Sequence, residues 1–280
     1  MTLILAATPL GNPGDASIRL KSAIEGASII AAEDSRRFHR LCADIEVTFT
    51  ARVVSFFEGN EEDRTRELLI ELKSGATVLV VSDAGMPTIS DPGFRLMRDA
   101  IAQGVEVAVI PGPSAVTMAV ALSGLPTDRF SFEGFPPRTA GARLATFEKL
   151  RFEERTMVFF EAPHRLVASL ADCVNIFGSD RNGAICREMT KRYEETIRGT
   201  LAELSTWAQR NEVLGEITLV IAGATTGSAS LTASDMVARV REFEAAGMDR
   251  KGAIATVAQE FGIAKRLVYA AVVDANKMSQ

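Results

Sequence analysis

Short apolar runs alternate with longer stretches of helical periodicity over the first 125 residues. This alternation is typical of strand–helix crossovers that build a mostly parallel sheet. The run Thr77–Val81 is continuously apolar and rich in β-branched residues, which predicts a central strand covered on both faces. The pattern predicts strands at 3–8, 28–32, 53–56, 77–82 and 105–110, and helices at 16–25, 35–42, 61–73, 93–103 and 114–123.

The pattern changes after Gly124, where strands follow one another more closely and fewer helices separate them. This spacing predicts a mixed sheet with helices packed on it. The strands are expected at 130–133, 156–161, 184–187, 194–199 and 216–222, and the helices at 140–151, 164–177 and 200–211.

Residues 223–230 are small and polar and predict a linker. Three helical patterns follow, at 234–246, 250–261 and 264–276, and they fit either a helix-turn-helix unit or a helical cap on the body. Seven basic and six acidic residues after Gly227 nearly cancel, so strong binding of duplex DNA is not expected. We predict domains at 1–124 and 125–223, and a linker with a helical extension at 224–280.

The composition is that of a globular protein with a substantial core, with 47% apolar and 24% charged residues among 280. The formal net charge of -5 offers no bulk positive field for nucleic acid, so any RNA partner needs a local basic patch. The three cysteines are far apart and match no zinc or disulfide pattern, and no metal site is expected. The chain starts directly with a strand pattern and contains no long apolar run, from which we expect a cytoplasmic protein.

Two loops rich in proline and glycine follow predicted strands, SDAGMPTISDPG at residues 82–93 and PGPSA at 111–115. In open α/β sheets, ligands bind beyond the carboxyl ends of the strands. Glycine permits close approach of the backbone, and proline fixes its conformation. The loops therefore predict a preformed pocket, although neither matches the dinucleotide or P-loop signature. The first turn, TPLGN at 8–12, contains no lysine placed to neutralise a phosphate.

The segment AAEDSRRFHR at residues 31–40 places two carboxylates and several cations at the end of the second strand. Helix capping explains a carboxylate at this place, but Arg36, Arg37 and Arg40 oppose the helix dipole. We therefore expect this segment to meet a polyanionic substrate. Asp34 or Glu33 could act as a general base on a hydroxyl group.

Seven motifs in order carry a resemblance to a known family: TPLGN, AEDSR, the two proline-rich loops, FFEAPHR at 159–165, REMTK at 187–191 and GEITLVI at 215–221. Together they resemble the tetrapyrrole (corrin/porphyrin) methylase superfamily, and within it the small-subunit rRNA (cytidine-2'-O)-methyltransferase branch. SDAG stands where tetrapyrrole enzymes carry GGDP, which favours the RNA branch, and AEDSR differs from the usual AEDTR at Ser35. The resemblance implies an α/β fold of two domains, the class III S-adenosylmethionine (SAM) methyltransferase fold, with a small helical C-terminal extension.

The resemblance also assigns roles to residues of this chain. SAM would lie folded between the two domains, and Asp34, with Glu33 and Arg36, would be catalytic. Arg36, Arg37 and Arg40 would hold RNA phosphates. The cofactor site would be lined by Leu10, Asp83, Pro87, Ile89, Ser114, Ala115, Glu161, Met189, Ile217 and Thr218.

The activity implied by the resemblance is SAM-dependent 2'-O-methylation of a cytidine in 16S rRNA, in the decoding centre. The expected substrate is the assembled small ribosomal subunit, the expected product is S-adenosylhomocysteine (SAH), and a homodimer is expected. Two alternatives remain open: a tetrapyrrole C-methyltransferase of the same fold, and a non-catalytic RNA-binding module.

Overall fold

The computed structural model describes residues 1–224, 233–260 and 264–277. Its first half is built on five strands that all pair in parallel, in the order β3-β2-β4-β1-β5. This confirms the predicted crossover pattern. The predicted central strand lies in the middle of the sheet, and four of its five residues are buried. The strands are β1 Thr2–Ala6, β2 Ile29–Ala32, β3 Arg52–Ser55, β4 Thr77–Val81 and β5 Glu106–Ile110.

Helices cover both faces of this first sheet, which explains why its three inner strands are almost entirely apolar. Leu20 and Ile24 pack on one face, and Leu68 and Leu96 pack on the other. Each of these four side chains is at most 2% exposed, and full burial of one stabilises the fold by about 1.5–3 kcal/mol. The helices are α1 Ile18–Gly26, α2 Ser35–Asp44, α3 Glu61–Lys73 and α4 Phe94–Ala102.

The second sheet has the order β6-β7-β10-β8-β9. β6 and β7 pair in parallel and the other pairs are antiparallel, so the predicted mixed sheet is confirmed. Three helices pack on one face, α6 Ala140–Lys149, α7 Pro163–Phe177 and α8 Leu201–Arg210. The strands are β6 Phe130–Gly134, β7 Thr156–Glu161, β8 Asn182–Arg187, β9 Glu195–Thr200 and β10 Ile217–Ile221.

The other face of the second sheet is covered by α5, Ala115–Ser123, which follows the last strand of the first sheet. Val116 and Val120 pack there with Val158 and Val220. The thiol of Cys186 on β8 donates a hydrogen bond to the carbonyl of Ala119 on α5, with 3.8 Å between sulfur and oxygen. One helix therefore joins the two halves. The domain limits at residues 124 and 223 stay a prediction.

The C-terminal helices are α9 Ala233–Ala245, α10 Arg250–Glu260 and α11 Lys265–Lys277. They pack on one another around a core of their own, which includes Val240, Val257 and Val268. Every predicted helix and strand is present, with ends within two residues of those expected, although most of the predicted linker and the predicted helix end at 261 lie outside the described residues. None of the described helices is both long and apolar enough to cross a bilayer.

Candidate active site

A cleft of about 420 Å³ opens between the carboxyl ends of the first-sheet strands and the second sheet, at the end of β7 and the start of β10. Its volume is within the range of small-molecule sites. From the first half it is lined by Leu10, Glu33, Arg37, Asp83, Ala84, Ser90, Asp91 and Ala115. From the second half it is lined by Phe135, Phe160, Glu161, Ala162, Pro163, Met189, Gly215, Glu216, Ile217 and Thr218.

The first turn and the loop after β4 are tied together by Thr8, which is fully buried. Its backbone exchanges two hydrogen bonds with Gly85, at 2.9 and 3.1 Å, and its hydroxyl donates to the Ser82 carbonyl at 3.1 Å. Gly85 has a φ of 81°, a conformation that favours glycine. This pairing holds the first turn, which bears Leu10, against the loop that bears Asp83, so both residues line the same side of the cleft.

Backbone strain is concentrated in two segments that line the cleft. Thr88 and Ser90 have φ values of 78° and 64°, and Glu188 and Thr190 have values of 49° and 66°. These are four of the five non-glycine residues with positive φ in the described chain. Such strain persists where the surroundings over-determine the backbone, and it is concentrated at functional sites. Both segments are thus held in shape around the cleft.

The ends of β2 and β4 are joined by reciprocal hydrogen bonds between acidic residues. The amide of Asp83 donates to Glu33 Oε2 at 3.1 Å, and the amide of Asp34 donates to Asp83 Oδ1 at 3.0 Å. Arg37 Nη1 lies 3.2 Å from Asp83 Oδ2. Burial raises the pKa of Glu33 and of Asp83. Both carboxylates therefore line the cleft, and the exposed guanidinium of Arg37 lies against that of Asp83.

Asp91 is a cleft residue that the sequence reasoning missed, although it stands inside the quoted loop at 82–93. Burial, and next the negative charge of Glu33, raise its pKa to about 7. Asp83 and Glu216 add to that repulsion, while the Ser82 hydroxyl opposes it with a hydrogen bond. A carboxyl group with a pKa near 7 is well suited to accept a proton at neutral pH.

Asp34 and Arg36 are paired with each other rather than directed into the cleft. The Asp34 carboxylate accepts hydrogen bonds from the Arg36 guanidinium at 2.9 Å and from the Arg36 amide at 2.8 Å, as the cap of α2. The Arg36 side chain lowers the pKa of Asp34 to about 2. Arg36 is 90% exposed, and Arg40, also exposed, lies 3.9 Å from Asp44. Of the predicted catalytic and RNA-binding residues, the cleft lining contains Glu33 and Arg37.

Glu161 is buried and stabilises the part of the cleft that the second half of the chain provides. Its carboxylate accepts a hydrogen bond from the Ser169 hydroxyl and one from the Ala162 amide at 2.8 Å, and it lies 3.2 Å from Arg165 Nε. Arg165 in turn donates to the carbonyls of Pro136 and Pro137, which fixes the loop that bears Phe135. The Glu161 side chain is therefore saturated by protein partners.

Lys191 reaches the first turn from the far side of the cleft. Its Nζ lies 2.9 Å from Glu188 Oε1 and 3.1 Å from Glu216 Oε2. Its stem occupies the space beside Gly11, where an added Cβ would be only 2.2 Å from Lys191 Cγ. The sequence placed no lysine near this turn, because Lys191 is distant along the chain. Two carboxylates already neutralise its charge, so the turn stays poorly suited to a phosphate.

Seven of the ten residues predicted to bind cofactor line the cleft: Leu10, Asp83, Ala115, Glu161, Met189, Ile217 and Thr218. The other three lie outside the lining. Pro87 is buried within its loop, Ile89 is exposed, and Ser114 is the N-cap residue of α5. Their roles in binding, and the absence of a metal, stay predictions.

Comparison with known proteins finds relatives that are described as methylases or methyltransferases. The family model for tetrapyrrole (corrin/porphyrin) methylases matches residues 2–205. A Mycobacterium tuberculosis protein named ribosomal RNA small subunit methyltransferase I is 49% identical over 98% of this chain and 95% of its own. A Halalkalibacterium halodurans protein of the same name is 39% identical over 96% of this chain and 93% of its own.

Solved structures share the fold at low sequence identity. Uroporphyrin-III C-methyl transferase from Thermus thermophilus, complexed with S-adenosylhomocysteine, superimposes with a TM-score of 0.55 at 17% identity. It covers 79% of this chain and 96% of its own, and a diphthine synthase covers 79% and 89% with a TM-score of 0.59 at 16% identity. With the match of the family model over most of its length, this chain belongs to the tetrapyrrole (corrin/porphyrin) methylase family.

Proposed function

We propose that this protein transfers the methyl group of SAM to the ribose 2'-oxygen of a cytidine in 16S rRNA, in the decoding centre of the small ribosomal subunit. The observation that carries the proposal is the 49% identity, over nearly the full length, to a protein named ribosomal RNA small subunit methyltransferase I. The choice of cytidine, of the 2'-oxygen and of the decoding centre rests on the resemblance of the seven motifs.

The cleft residues fit SAM. SAM carries positive charge on its sulfonium and its amino group, and the cleft contains the carboxylates of Glu33, Asp83, Asp91 and Glu216. Burial raises the pKa of Glu33, Asp83 and Asp91, and like charges nearby add to the rise, so a cation among them relieves their repulsion. Leu10, Phe160, Met189 and Ile217 provide apolar surface for an adenine ring.

When bound, SAM supplies a methyl group that an oxygen nucleophile displaces from the sulfonium. The residues of this chain have to hold the acceptor ribose and remove its hydroxyl proton. We propose that Asp91 accepts that proton, since it lies in the cleft with a pKa of about 7. Glu33 is the second candidate base. Asp34, the base favoured by the resemblance, has a pKa of about 2 and is a weaker proton acceptor.

Arg36, Arg37 and Arg40 are proposed to hold RNA phosphates at the mouth of the cleft. All three are exposed on α2, and Arg37 also lines the cleft. Phosphate contacts of this kind position the nucleic acid without reading its sequence. The nucleotide to be methylated would therefore be selected by other contacts, which favours an assembled subunit as the substrate.

A second candidate function is C-methylation of a tetrapyrrole, because the family model and several structural neighbours carry that description. A single assay separates the two. The protein is incubated with methyl-labelled SAM and either undermethylated small subunits or uroporphyrinogen III, and digested RNA is analysed for 2'-O-methylcytidine. Label in RNA, lost in Asp91→Asn and kept in Asp128→Asn, supports the proposal. Label in the tetrapyrrole alone overturns it.

The third possibility, a non-catalytic RNA-binding module, is tested by calorimetry with SAM and with SAH. Binding of neither compound would favour that module.

We also propose a homodimer, since Phe94 and Ile101 are exposed on one face of α4 and Val109 is exposed on the neighbouring β5. Light scattering of the purified protein measures its mass, and a monomer would contradict this part of the proposal.

A further inference from the structure

A groove of about 840 Å³ lies between α10 and α11 in the C-terminal helical unit, outside the region matched by the family model. Its walls bear four cations, Arg250, Lys251, Lys265 and Arg266, and the aromatic ring of Tyr269. All five side chains are exposed. This volume exceeds that of the cleft between the two sheets, and its chemistry is the opposite, since the cleft is acidic.

The charges of the helical unit are segregated into this groove. After Gly227 the sequence contains seven basic and six acidic residues, and four of the seven basic residues line the groove, against one acid, Asp249. Arg250 lies 3.5 Å from Glu244. Within the described part of the chain, Lys251, Lys265 and Arg266 have no ion-pair partner. A nearly neutral unit therefore presents one strongly basic surface.

Helix stability does not explain these cations. Arg250 and Lys251 are the first two residues of α10, and Lys265 and Arg266 are the first two of α11. Cations in a first turn oppose the positive end of the helix dipole, so all four are placed where they weaken their own helices. The groove gathers two unfavourable helix ends at one place, and a polyanion bound there would offset both.

Tyr269 makes RNA a better occupant than other polyanions. Its side chain is 60% exposed beside the cations, and Ile254 and Ala255 add apolar surface to the lining. Proteins bind single-stranded RNA with a positively charged groove for the backbone and aromatic rings on which bases stack. An acidic peptide would use the cations but would have no base to stack on the ring.

The unit lies apart from the chemistry. It has its own apolar core, and it follows the last strand of the second sheet. A Thermotoga maritima relative, also named ribosomal RNA small subunit methyltransferase I, aligns over 98% of its length with only 79% of this chain. About a fifth of this sequence therefore has no counterpart in that relative.

We propose that the groove between α10 and α11 binds a single-stranded segment of the rRNA substrate, with Arg250, Lys251, Lys265 and Arg266 on its phosphates and Tyr269 stacked on a base. In naming rRNA the inference rests on the proposed function. The groove supplies affinity for the RNA, while the cleft carries out methyl transfer.

The test uses the full-length protein and 16S rRNA transcribed in vitro. Lys265→Glu/Arg266→Glu is compared with Arg210→Glu/Arg241→Glu, a control with the same charge change at exposed sites outside the groove. In the groove variant we expect RNA affinity to fall about tenfold or more, and the slope of log K against log salt to become shallower by about 1.4, for two lost phosphate contacts. SAM affinity, measured by calorimetry, should be unchanged in both.

Tyr269→Ala tests the nature of the occupant. Loss of one stacking contact should weaken binding of poly(U) about fivefold or more, and should leave binding of poly-glutamate unchanged. Equal loss for both polymers would indicate a general polyanion site and would overturn the assignment to RNA. Circular dichroism checks that each variant is folded, and Lys265→Gln/Arg266→Gln provides a milder substitution if the Glu variant unfolds.

The outcomes separate the inference from the proposed function. If the wild-type protein methylates rRNA and the groove variant binds RNA as well as the control does, the inference is wrong and the proposed function stands. If the wild-type protein binds RNA through the groove but transfers no methyl group to undermethylated small subunits, the proposed function is wrong and the groove stands. If the wild-type protein binds neither 16S rRNA nor small subunits, both are wrong.

Discussion

The carboxylate of Glu33 accepts a hydrogen bond from the backbone amide of Asp83, with 3.1 Å between Oε2 and the nitrogen. The two residues are 50 positions apart along the chain, at the ends of neighbouring parallel strands. Because Asp83 in turn accepts from the amide of Asp34, each loop is held by the side chain of the other. The acidic wall of the cleft is thus a direct product of strand pairing.

Replacement of Asp83 distinguishes its hydrogen bond from its charge. Asp83→Ala leaves the Asp34 amide without its acceptor, and we expect a loss of about 1–2 kcal/mol in the free energy of unfolding. Asp83→Asn keeps an acceptor oxygen and should stay close to the wild-type value. Urea unfolding measures both. Equal losses in the two variants would show that the ion pair with Arg37, rather than the hydrogen bond, stabilises the loop.

The rate of methyl transfer should follow the ionisation of Asp91. The base has to be deprotonated, and burial raises its pKa to about 7, so kcat/KM is expected to rise with pH through about 7 and to level off above it. Asp91→Asn should lower kcat about 100-fold or more and abolish that rise. An unchanged pH profile in Asp91→Asn would exclude Asp91 as the base, and Glu33→Gln would then be tested in the same way.

The stability of the ligand-free protein should fall as Asp91 ionises, whereas the rate of methyl transfer rises. A raised pKa means that the folded protein holds this proton more tightly, so the contribution of Asp91 to stability is lost as pH rises from about 4 through about 7. Asp91→Asn should therefore stabilise the protein at pH 8, by about 1–2 kcal/mol because the carboxyl keeps some contact with solvent, and have little effect at pH 4. Thermal unfolding at the two pH values measures the difference. A variant less stable than wild type at pH 8 would contradict this account.

The acidic cleft should discriminate between SAM and SAH. The two compounds differ by one methyl group and by the sulfonium charge, so an ionised Asp91 favours SAM. We expect Asp91→Asn to reduce the ratio of SAM to SAH affinity about fivefold at pH 8. At pH 5.5 the wild-type carboxyl is protonated, and the two proteins should give similar ratios. Calorimetric titrations at both pH values provide the comparison, with Asp128→Asn as the control.

The contact between Gly11 and Lys191 can be measured by a double-mutant cycle. Gly11→Ala puts a methyl group in the space of the Lys191 stem and should raise the Kd for SAM by displacing Leu10 beside it. Lys191→Ala opens that space, so the double variant should bind SAM better than the sum of the two single effects predicts. We expect a coupling energy of about 0.5–3 kcal/mol. Additive effects would show that the lysine moves aside without cost.

We expect the Glu161 carboxylate to stabilise the folded protein. Glu161→Ala leaves the half-buried Arg165 without its ion-pair partner and removes the acceptor of Ser169, and we expect a loss of about 3 kcal/mol in the free energy of unfolding. Glu161→Gln keeps an acceptor for the Ala162 amide and should lose less. Denaturation curves and SAM calorimetry are run on both variants. Weaker SAM binding in Glu161→Gln at unchanged stability would instead support direct contact with the cofactor.

Periodicity predicted every strand and helix because each element buries its own apolar face, and that face is encoded locally. Thr77–Val81 is the clearest example, since a strand apolar throughout has to lie in the middle of a covered sheet. The loops were predicted from glycine and proline, which act on the backbone next to them. The family resemblance of these loops then placed Leu10 and Asp83 at the site.

What the sequence could not predict depends on partners distant along the chain. The pKa of Asp91 depends on burial and on Glu33 and Glu216, which come from other elements. Lys191 meets Gly11 only because the second half of the chain folds over the first. Asp34 shows the converse, since a carboxylate at a strand end fits catalysis and capping equally well, and its partner Arg36 satisfies it as a cap.

The position of α5 constrains how the cleft can change its width. This helix begins directly after the loop at 111–115, which belongs to the first sheet, yet its apolar side chains are embedded in the second. α5 therefore belongs to the second half as a unit, and rotation about the loop that precedes it leaves these apolar contacts intact. Pro111 and Pro113 restrict the backbone of that loop, so they determine how far the two halves can rotate to widen the cleft.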